Sequence, residues 1–411
     1  MWYKLIMSMD NLTGHNDQIK QLNTGLIYRL IDLHGPISRI SLSKKAKLAP
    51  ASITKITREL AEAHLIKEIE FPVLGLRGRP AVGLEIDSEG WQFLAIRINK
   101  QQLVFSLREL NANLIIEDEF DFTAQGNANF SQQLLDSISL FFSRYQNFLE
   151  RLTAITIITQ ANIDPSAGII NQLDDYNIKN LPIKVQIENK IGLPVYLQKD
   201  IYAWTLTESF VGAAKDCANI LHIILDDQIN AGVITNNYLI HAENSRTIEL
   251  AHMQINREGI KCSCGNIGCL KTVASIPNLL KRITILLAQY PQSILHQQEI
   301  TIKHFCQAIV AKDPLCLEIL GDFSRDLGRA IAPLINIFGP EVIVIGSPLN
   351  TIAEIFYPQL AAIIKSTSVP KYTSNLQLRA AKYTNTGTYN SSALIKQSLY
   401  NGELLLKLLQ G

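Results

Sequence analysis

Between Gln18 and Ile86 the apolar residues keep three successive helical rhythms and then two alternating ones, an order that few small folds accept. Ile19, Leu22, Leu26, Ile27, Leu30, Ile31 and Leu33 follow the period of an amphipathic helix, which Gly35-Pro36 stops. Ser38 can cap a second short helix over residues 39–47, and the break at Leu48-Ala49-Pro50 precedes a third that starts at Ser52 and runs to about His64. A strand-like stretch over 65–73, a tip at Gly75-Leu76-Arg77-Gly78-Arg79-Pro80 and a return strand over 81–86 make a hairpin. Helix, helix, turn, helix and hairpin predict a winged helix-turn-helix over residues 14–87.

Charge supports a nucleic-acid partner for that segment. The whole chain carries a formal net charge of only +1, so any attraction to phosphate has to be local. Between Gly35 and Pro80 nine basic residues stand against four acidic ones. A solvated basic face with no partner is the competing explanation of charge alone. In a winged helix the third helix enters the major groove, which places Ser52, Thr54, Lys55 and Arg58 against bases or phosphates. Arg77 and Arg79, on the glycine-bearing tip, suit the narrow minor groove of A·T-rich DNA, with phosphate-only contact as the alternative.

At 411 residues the chain needs more than one core. From Trp91 onward strands and helices alternate, with strands expected over 93–98, 103–107, 114–120, 152–158, 195–197, 220–225, 231–235 and 342–345. Helices are expected over 130–149, 200–212, 276–287, 316–338 and 352–366. Two α/β lobes follow, over 88–200 and 201–411, with part of the C-terminus open to return to the first lobe. Hydrophobic residues at 47% and charged residues at 18% exclude a disordered chain. No apolar run spans a bilayer, and the Met1–Met9 start lacks a basic-then-apolar signal, so the cytoplasm is the expected location.

Three of the six cysteines, Cys262, Cys264 and Cys269, crowd into eight residues of a glycine-bearing loop, with His252 just upstream. In a reducing compartment such crowding favours a metal over disulfides. Three thiolates and an imidazole fill a tetrahedral zinc site and leave no position for water, so the metal is expected to be structural, one per chain. Free thiols in a loop are the alternative.

The segments Glu249-Leu-Ala-His252 and Cys262-Ser-Cys264-Gly-Asn-Ile-Gly-Cys269-Leu270 resemble the signature of the ROK family of repressors, open reading frames and sugar kinases. The N-terminal winged helix, with Ala49-Pro-Ala-Ser-Ile-Thr-Lys55, Arg77-Gly-Arg-Pro-Ala-Val-Gly83 and Tyr400-Asn-Gly402, is similar to the repressor branch. The resemblance implies an α/β fold, with the winged helix on a two-lobed actin-like ATPase body assembled as a homodimer or homotetramer. It assigns His252, Cys262, Cys264 and Cys269 as zinc ligands.

The same resemblance argues against a kinase. Where family kinases carry an Asp-x-Gly-Gly-Thr phosphate loop, this chain reads Arg97-Ile98-Asn99-Lys100-Gln101. The second phosphate loop reads Asp226-Asp227-Gln228-Ile229-Asn230-Ala231-Gly232, with one glycine left. Asp200 stands where the catalytic base would, but a base without a phosphate donor has no task. Of the family's sugar contacts only Asp200, Glu249 and His252 match; Lys199, Gln160-Ala161, Ala251 and Lys271 replace the others. Each lost buried polar partner costs about 1–3 kcal/mol of discrimination.

The expected function is therefore a sequence-specific repressor of sugar-uptake and phosphotransferase-system genes. The resemblance implies relief by a protein, the cytoplasmic B domain of a dephosphorylated membrane glucose permease. Phe141-Phe142, on the helix expected over 130–149, offers one aromatic as an interface anchor, with burial of both as the alternative. The other readings are a repressor released by a phosphosugar in the interlobe cleft, with Lys199 and Lys271 on the phosphate, or a residual sugar kinase. The amphipathic run Leu404–Leu409 serves either a subunit contact, the DNA-binding domain or simple core packing.

Overall fold

Helix α1 (His15–His34) carries the winged helix. It buries Thr24, Ile27, Tyr28 and Ile31, and it stops where the Gly35 amide bonds to the Ile31 carbonyl. The computed structural model describes residues 15–71, 81–240, 248–383 and 387–410. In α2 (Arg39–Ala46) Ser38 is the N-cap, accepting from the Ser41 amide at 3.2 Å, and Lys47 ends the helix in the left-handed region. Helix α3 (Pro50–Glu62) starts two residues before Ser52, because a proline in the first turn surrenders an amide that has no helical partner anyway. Strands β1 (Ile66–Phe71) and β2 (Ala81–Ile86) pair antiparallel from Ile66↔Ile86 to Phe71↔Ala81. The hairpin tip with Arg77 and Arg79 lies outside the described residues.

The winged helix does not close its own core. Ile27, Ile31, Leu42, Ile53, Leu60 and Leu84 share one buried cluster with Phe93, Ala95 and Ala154 of the following sheet and with Ile395, Leu399, Leu404 and Leu405. The last four belong to the C-terminal helices Ser391–Tyr400 and Glu403–Gln410. Two glycines allow the backbones to approach: a Cβ on Gly25 would lie 2.3 Å from the Tyr400 carbonyl oxygen, and one on Gly402, at φ +79°, would lie 2.2 Å from that of Gln21. Asp32 of α1 accepts hydrogen bonds from Lys396 Nζ and the Tyr400 hydroxyl. The Leu404–Leu409 run is thus packed against the N-terminal helices.

By contacts the chain forms two units, one of residues up to 159 with 167–198 and 391–411, the other of 160–166 with 199–390. Each is built on a five-stranded sheet of the same order. In the first unit the strands run Val195–Lys199, Leu152–Thr159, Gln92–Asn99, Gln102–Glu109, Leu114–Asp121. In the second they run Gln377–Ala380, Val342–Gly346, Ile220–Leu225, Ile229–Thr235, Tyr238–Leu239. In both sheets the earliest strand pairs antiparallel with the next and parallel with the fourth in chain order. This duplication gives the two α/β lobes expected of an actin-like body. Among the described residues no helix is long and apolar enough to cross a membrane.

Helix Asn127–Arg144 lies in the first unit and buries Phe130, Leu134, Ile138 and Phe141. Phe141 is fully buried and stacks on Phe105 at 5.5 Å between ring centroids. This corrects its expected place at a partner surface: the core-facing spacing 130, 134, 138, 141 includes it. Phe142, one step round the helix, is half-buried.

A buried histidine gives the second unit a pH limit. His222, on Ile220–Leu225, is 1% exposed, and its Nδ1 lies 3.1 Å from Thr205 Oγ1. Thr205 donates its own proton to the Ile201 carbonyl, so Nδ1–H is the donor to Thr205. Burial holds the imidazole down to about 3. The unfolded chain takes up this proton near pH 6.5 and the folded chain only far below, so stability is full above that range and falls as pH drops through it. The expected slope approaches about 1.4 kcal/mol per pH unit between pH 6 and 4. Denaturant titrations over this range on the parent and His222→Asn check it: the variant should lose that slope.

Candidate nucleic-acid interface and metal centre

Helix α3 divides cleanly between core and solvent. Ile53, Ile56, Thr57 and Leu60 are buried, while Ser52, Thr54, Lys55 and Arg58 are all exposed. The four residues expected to meet DNA therefore share one outward face. Thr54 Oγ1 donates to the Pro50 carbonyl at 3.0 Å, and Arg58 lies 3.8 Å from Glu62 in a solvent-exposed pair that holds it weakly. Lys44, Lys45 and Lys47, at the end of α2, are exposed too. Arg39 is spent inside the domain, donating to Thr57 Oγ1 at 3.0 Å and to Glu68 at 2.6 Å, which ties α2, α3 and β1 together. Lys67 pairs with Glu85 across the hairpin.

In the second unit His252 ends a short 3-10 turn, Leu250–His252, and the three cysteines follow in one loop. Their four ligand atoms all lie within 4.8 Å of one another. Cys262 Sγ stands 3.6 Å from His252 Nδ1, and Cys264 Sγ stands 3.6 Å from Cys269 Sγ. Tetrahedral zinc with Zn–S of about 2.3 Å separates its sulfurs by about 3.8 Å, so donor set and spacing both fit. The loop is folded by its backbone: the Cys262 amide bonds to the Asn266 carbonyl at 2.7 Å and the Gly265 amide to the Cys262 carbonyl at 3.0 Å. The backbone hydrogen bond from Cys264 draws the Cys262 thiol down to about 6, whereas burial pushes Cys269 up to about 12. A cation supplies the charge that lets all three ionise together.

His252 also lines a cleft of about 590 Å³ with Lys199, Asp200, Asp226, Glu249 and Lys271. Asp200, 7% exposed, accepts from Asn390 Nδ2 at 2.8 Å. Lys199 Nζ lies 4.0 Å from Glu249, and burial lowers its pKa despite that carboxylate. Lys271 donates to Ser263 Oγ at 2.8 Å, linking the cleft to the metal loop. Asp226 is raised, first by burial and then by Asp227.

Both places where a phosphate loop would stand have taken other structural roles. At the first, the Tyr176 hydroxyl accepts from the Gln101 amide at 2.7 Å and donates to the Asn99 carbonyl at 2.6 Å, occupying the turn between two strands of the first unit. Tyr176 lies some 75 residues along the chain, with no local signal to mark it. At the second, a Cβ on Gly232 would sit 2.1 Å from Thr205 Oγ1, so this retained glycine serves packing of helix Asp200–Phe210 on the sheet.

The ROK family model matches residues 93–398. The DNA-binding transcriptional repressor Mlc of Escherichia coli K12 is 40% identical over 98% of this chain and 100% of its own length. The DNA-binding transcriptional dual regulator NagC of the same strain is 31% identical over 97% and 98%. A crystal structure of a ROK family transcriptional regulator, described as a homologue of the E. coli Mlc protein, superposes with a TM-score of 0.88 at 40% identity, covering 96% of this chain and all of that one.

Proposed function

We propose, from the premise that this chain belongs to the ROK family, that it is a DNA-binding transcriptional repressor of sugar-uptake and phosphotransferase-system genes. The observation that carries this reading is the outward face of α3, where Ser52, Thr54, Lys55 and Arg58 are all exposed, as are Lys44, Lys45 and Lys47 at the end of α2. A helix face that is polar, basic and free of buried obligations is what major-groove readout needs. Expected results separate the roles. Lys55→Ala should weaken binding to all operators alike and reduce the salt slope by about 1, as loss of one phosphate contact does. Arg58→His should instead change which operators are preferred. Selection from a random duplex library, followed by anisotropy titrations at several salt concentrations, checks both; unchanged binding in both variants rejects this docking face.

One structural zinc held by His252, Cys262, Cys264 and Cys269 is part of the proposal. The chain's own residues supply a closed donor set, and the metal's chemistry there is to cross-link the loop. The reading includes no phosphoryl transfer: the first phosphate-loop segment lacks the acid and glycines, with its turn taken by Tyr176, and the second keeps one glycine, which packs on Thr205.

The repressor is relieved, in this reading, by a protein: the B domain of a dephosphorylated membrane glucose permease. Support comes from the substituted cleft, which leaves the signal to arrive on another surface, and from half-buried Phe142 in the first unit. A second reading is favoured by Lys199 and Lys271 in the cleft, which suit the phosphate of a phosphosugar. Calorimetry with glucose, glucose 6-phosphate and N-acetylglucosamine 6-phosphate decides between them. No heat is expected from any of the three; micromolar binding with release of operator establishes the second reading instead.

A further inference from the structure

Of the six cysteines, all among the described residues, Cys264 is the one that is exposed. Cys262 and Cys269 are 4% and 0% exposed, Cys306 and Cys316 lie in the core of the second unit, and half-buried Cys217 stands beside the Asp216 carboxylate. A solute oxidant therefore meets Cys264 first, since oxidation of a thiol follows its thiolate character and its exposure. Space is open there as well: a Cβ on Gly265, the next residue, would meet nothing within 4 Å. A second thiol is already in place. Cys264 Sγ faces Cys269 Sγ at 3.6 Å, whereas Cys262 Sγ is set against His252 Nδ1 at 3.6 Å. A disulfide holds its sulfurs at about 2.05 Å, so the pair has about 1.5 Å to close, and Cys264 on the open side can make that movement.

We propose that Cys264 and Cys269 are a peroxide-sensitive dithiol, a modification site whose oxidation to a disulfide dismantles the metal centre; the loss of metal rests on the zinc reading above. With a cation present both sulfurs are thiolates. The Cys264 thiolate attacks one oxygen of a hydroperoxide, the O–O bond breaks, and hydroxide leaves a sulfenic acid on Cys264. The Cys269 thiolate then attacks that sulfur, expels a second hydroxide and forms the S–S bond. Each sulfur gives up one electron, the peroxide takes both, and solvent protons turn the two hydroxides into water. A disulfide offers a cation no anionic sulfur, so oxidation leaves Cys262 and His252 as half of a donor set. The effect reaches the cleft of the second unit. Ser263, the neighbour of Cys264, accepts from Lys271 Nζ at 2.8 Å, and Lys271 and His252 both line that cleft. Closure of Cys264 onto Cys269 pulls on this hydrogen bond. In a reducing compartment the disulfide is transient, as a sensor requires.

The test uses the full chain in a Cys217→Ser background, assayed first for zinc and then treated with excess hydrogen peroxide. A chromogenic chelator follows zinc release, a thiol count follows oxidation, and mass spectrometry of non-reducing digests maps the disulfide. The expected result is a linkage of Cys264 to Cys269, with one zinc released for each pair of thiols lost and both restored by dithiothreitol with zinc. Cys264→His keeps four donors but cannot form the bond, and it should release zinc about tenfold more slowly. A linkage of Cys262 to either neighbour, sulfinic acid on Cys264 with no disulfide, or equal release from parent and Cys264→His overturns the inference. A chain that holds no zinc before oxidation fails the metal reading instead, and the digest still decides whether Cys264 and Cys269 join.

Discussion

Cys269→Ser is expected to abolish zinc retention and to lower the unfolding temperature of the protein by on the order of 10 °C, from the loss of several kcal/mol. Cys269 is fully buried, and its sulfur faces Cys264 at 3.6 Å. With the metal present its charge is shared; without it, burial holds this thiol neutral near neutral pH. A serine there can neither ionise nor ligate, leaving His252, Cys262 and Cys264 as an incomplete set. Between residues 254 and 269 the loop has backbone hydrogen bonds but no regular strand, only isolated bridges at Gln254↔Cys269 and Lys261↔Ile267, so a bound metal would add the main cross-link between its two ends and His252. Elemental analysis and calorimetric unfolding read the result. Cys217→Ser, at a thiol outside the cluster, should leave metal content at one zinc per chain. Equal metal content in parent and Cys269→Ser removes this residue from the site. Acid should mimic the mutation, since protons compete with zinc for every thiolate and for the imidazole.

Asp32→Ala should cost about 3–5 kcal/mol and weaken operator binding in parallel. Asp32 and Lys396 are 19% and 15% exposed, and Asp32 also receives the Tyr400 hydroxyl. Removing the carboxylate strands a largely buried ammonium and a phenol whose pKa burial has already raised. The consequence reaches DNA because α1 shares its core with α3 on one side and with the C-terminal helices on the other. Asp32→Asn keeps one acceptor oxygen without the charge and should fall between parent and alanine variant. Urea denaturation gives the midpoints and anisotropy gives the affinities. An unchanged midpoint in Asp32→Ala shows that the contact contributes nothing to the fold.

Much of the local structure was legible because it is written in short-range terms. The three N-terminal helices, the hairpin and most strands after Trp91 follow from apolar spacing and from stop signals such as Gly35-Pro36. The ligand cluster was legible because Cys-x-Cys-x4-Cys has few other uses in so short a span. Other features were not. The seven apolar residues of the α1 pattern share a helical spacing, yet Ile19, Leu22, Leu26 and Leu33 are exposed. Periodicity reports that a residue is apolar and cannot say whether a neighbour arrives to cover it. Phe141 and Phe142 are chemically identical; the spacing 130, 134, 138, 141 puts the first on the core face, where it stacks on Phe105. Short strands such as Ile169–Leu173 and Gln377–Ala380 carry too little pattern to stand out.

The amino-acid sequence by itself determined that residues 14–87 would form helix, helix, turn, helix and hairpin, with Ser52, Thr54, Lys55 and Arg58 on one helix. Those features depend on period, capping and turn chemistry within a few residues. The tertiary structure alone decided that the winged helix shares its core with the C-terminal helices, through Gly25, Gly402 and the Asp32 cluster. It alone showed that the two sheets repeat one strand order, and that Tyr176 fills the turn where a phosphate loop would have stood. These depend on contacts between residues separated by tens to hundreds of positions, and no local pattern records which distant side chain will fill a given space.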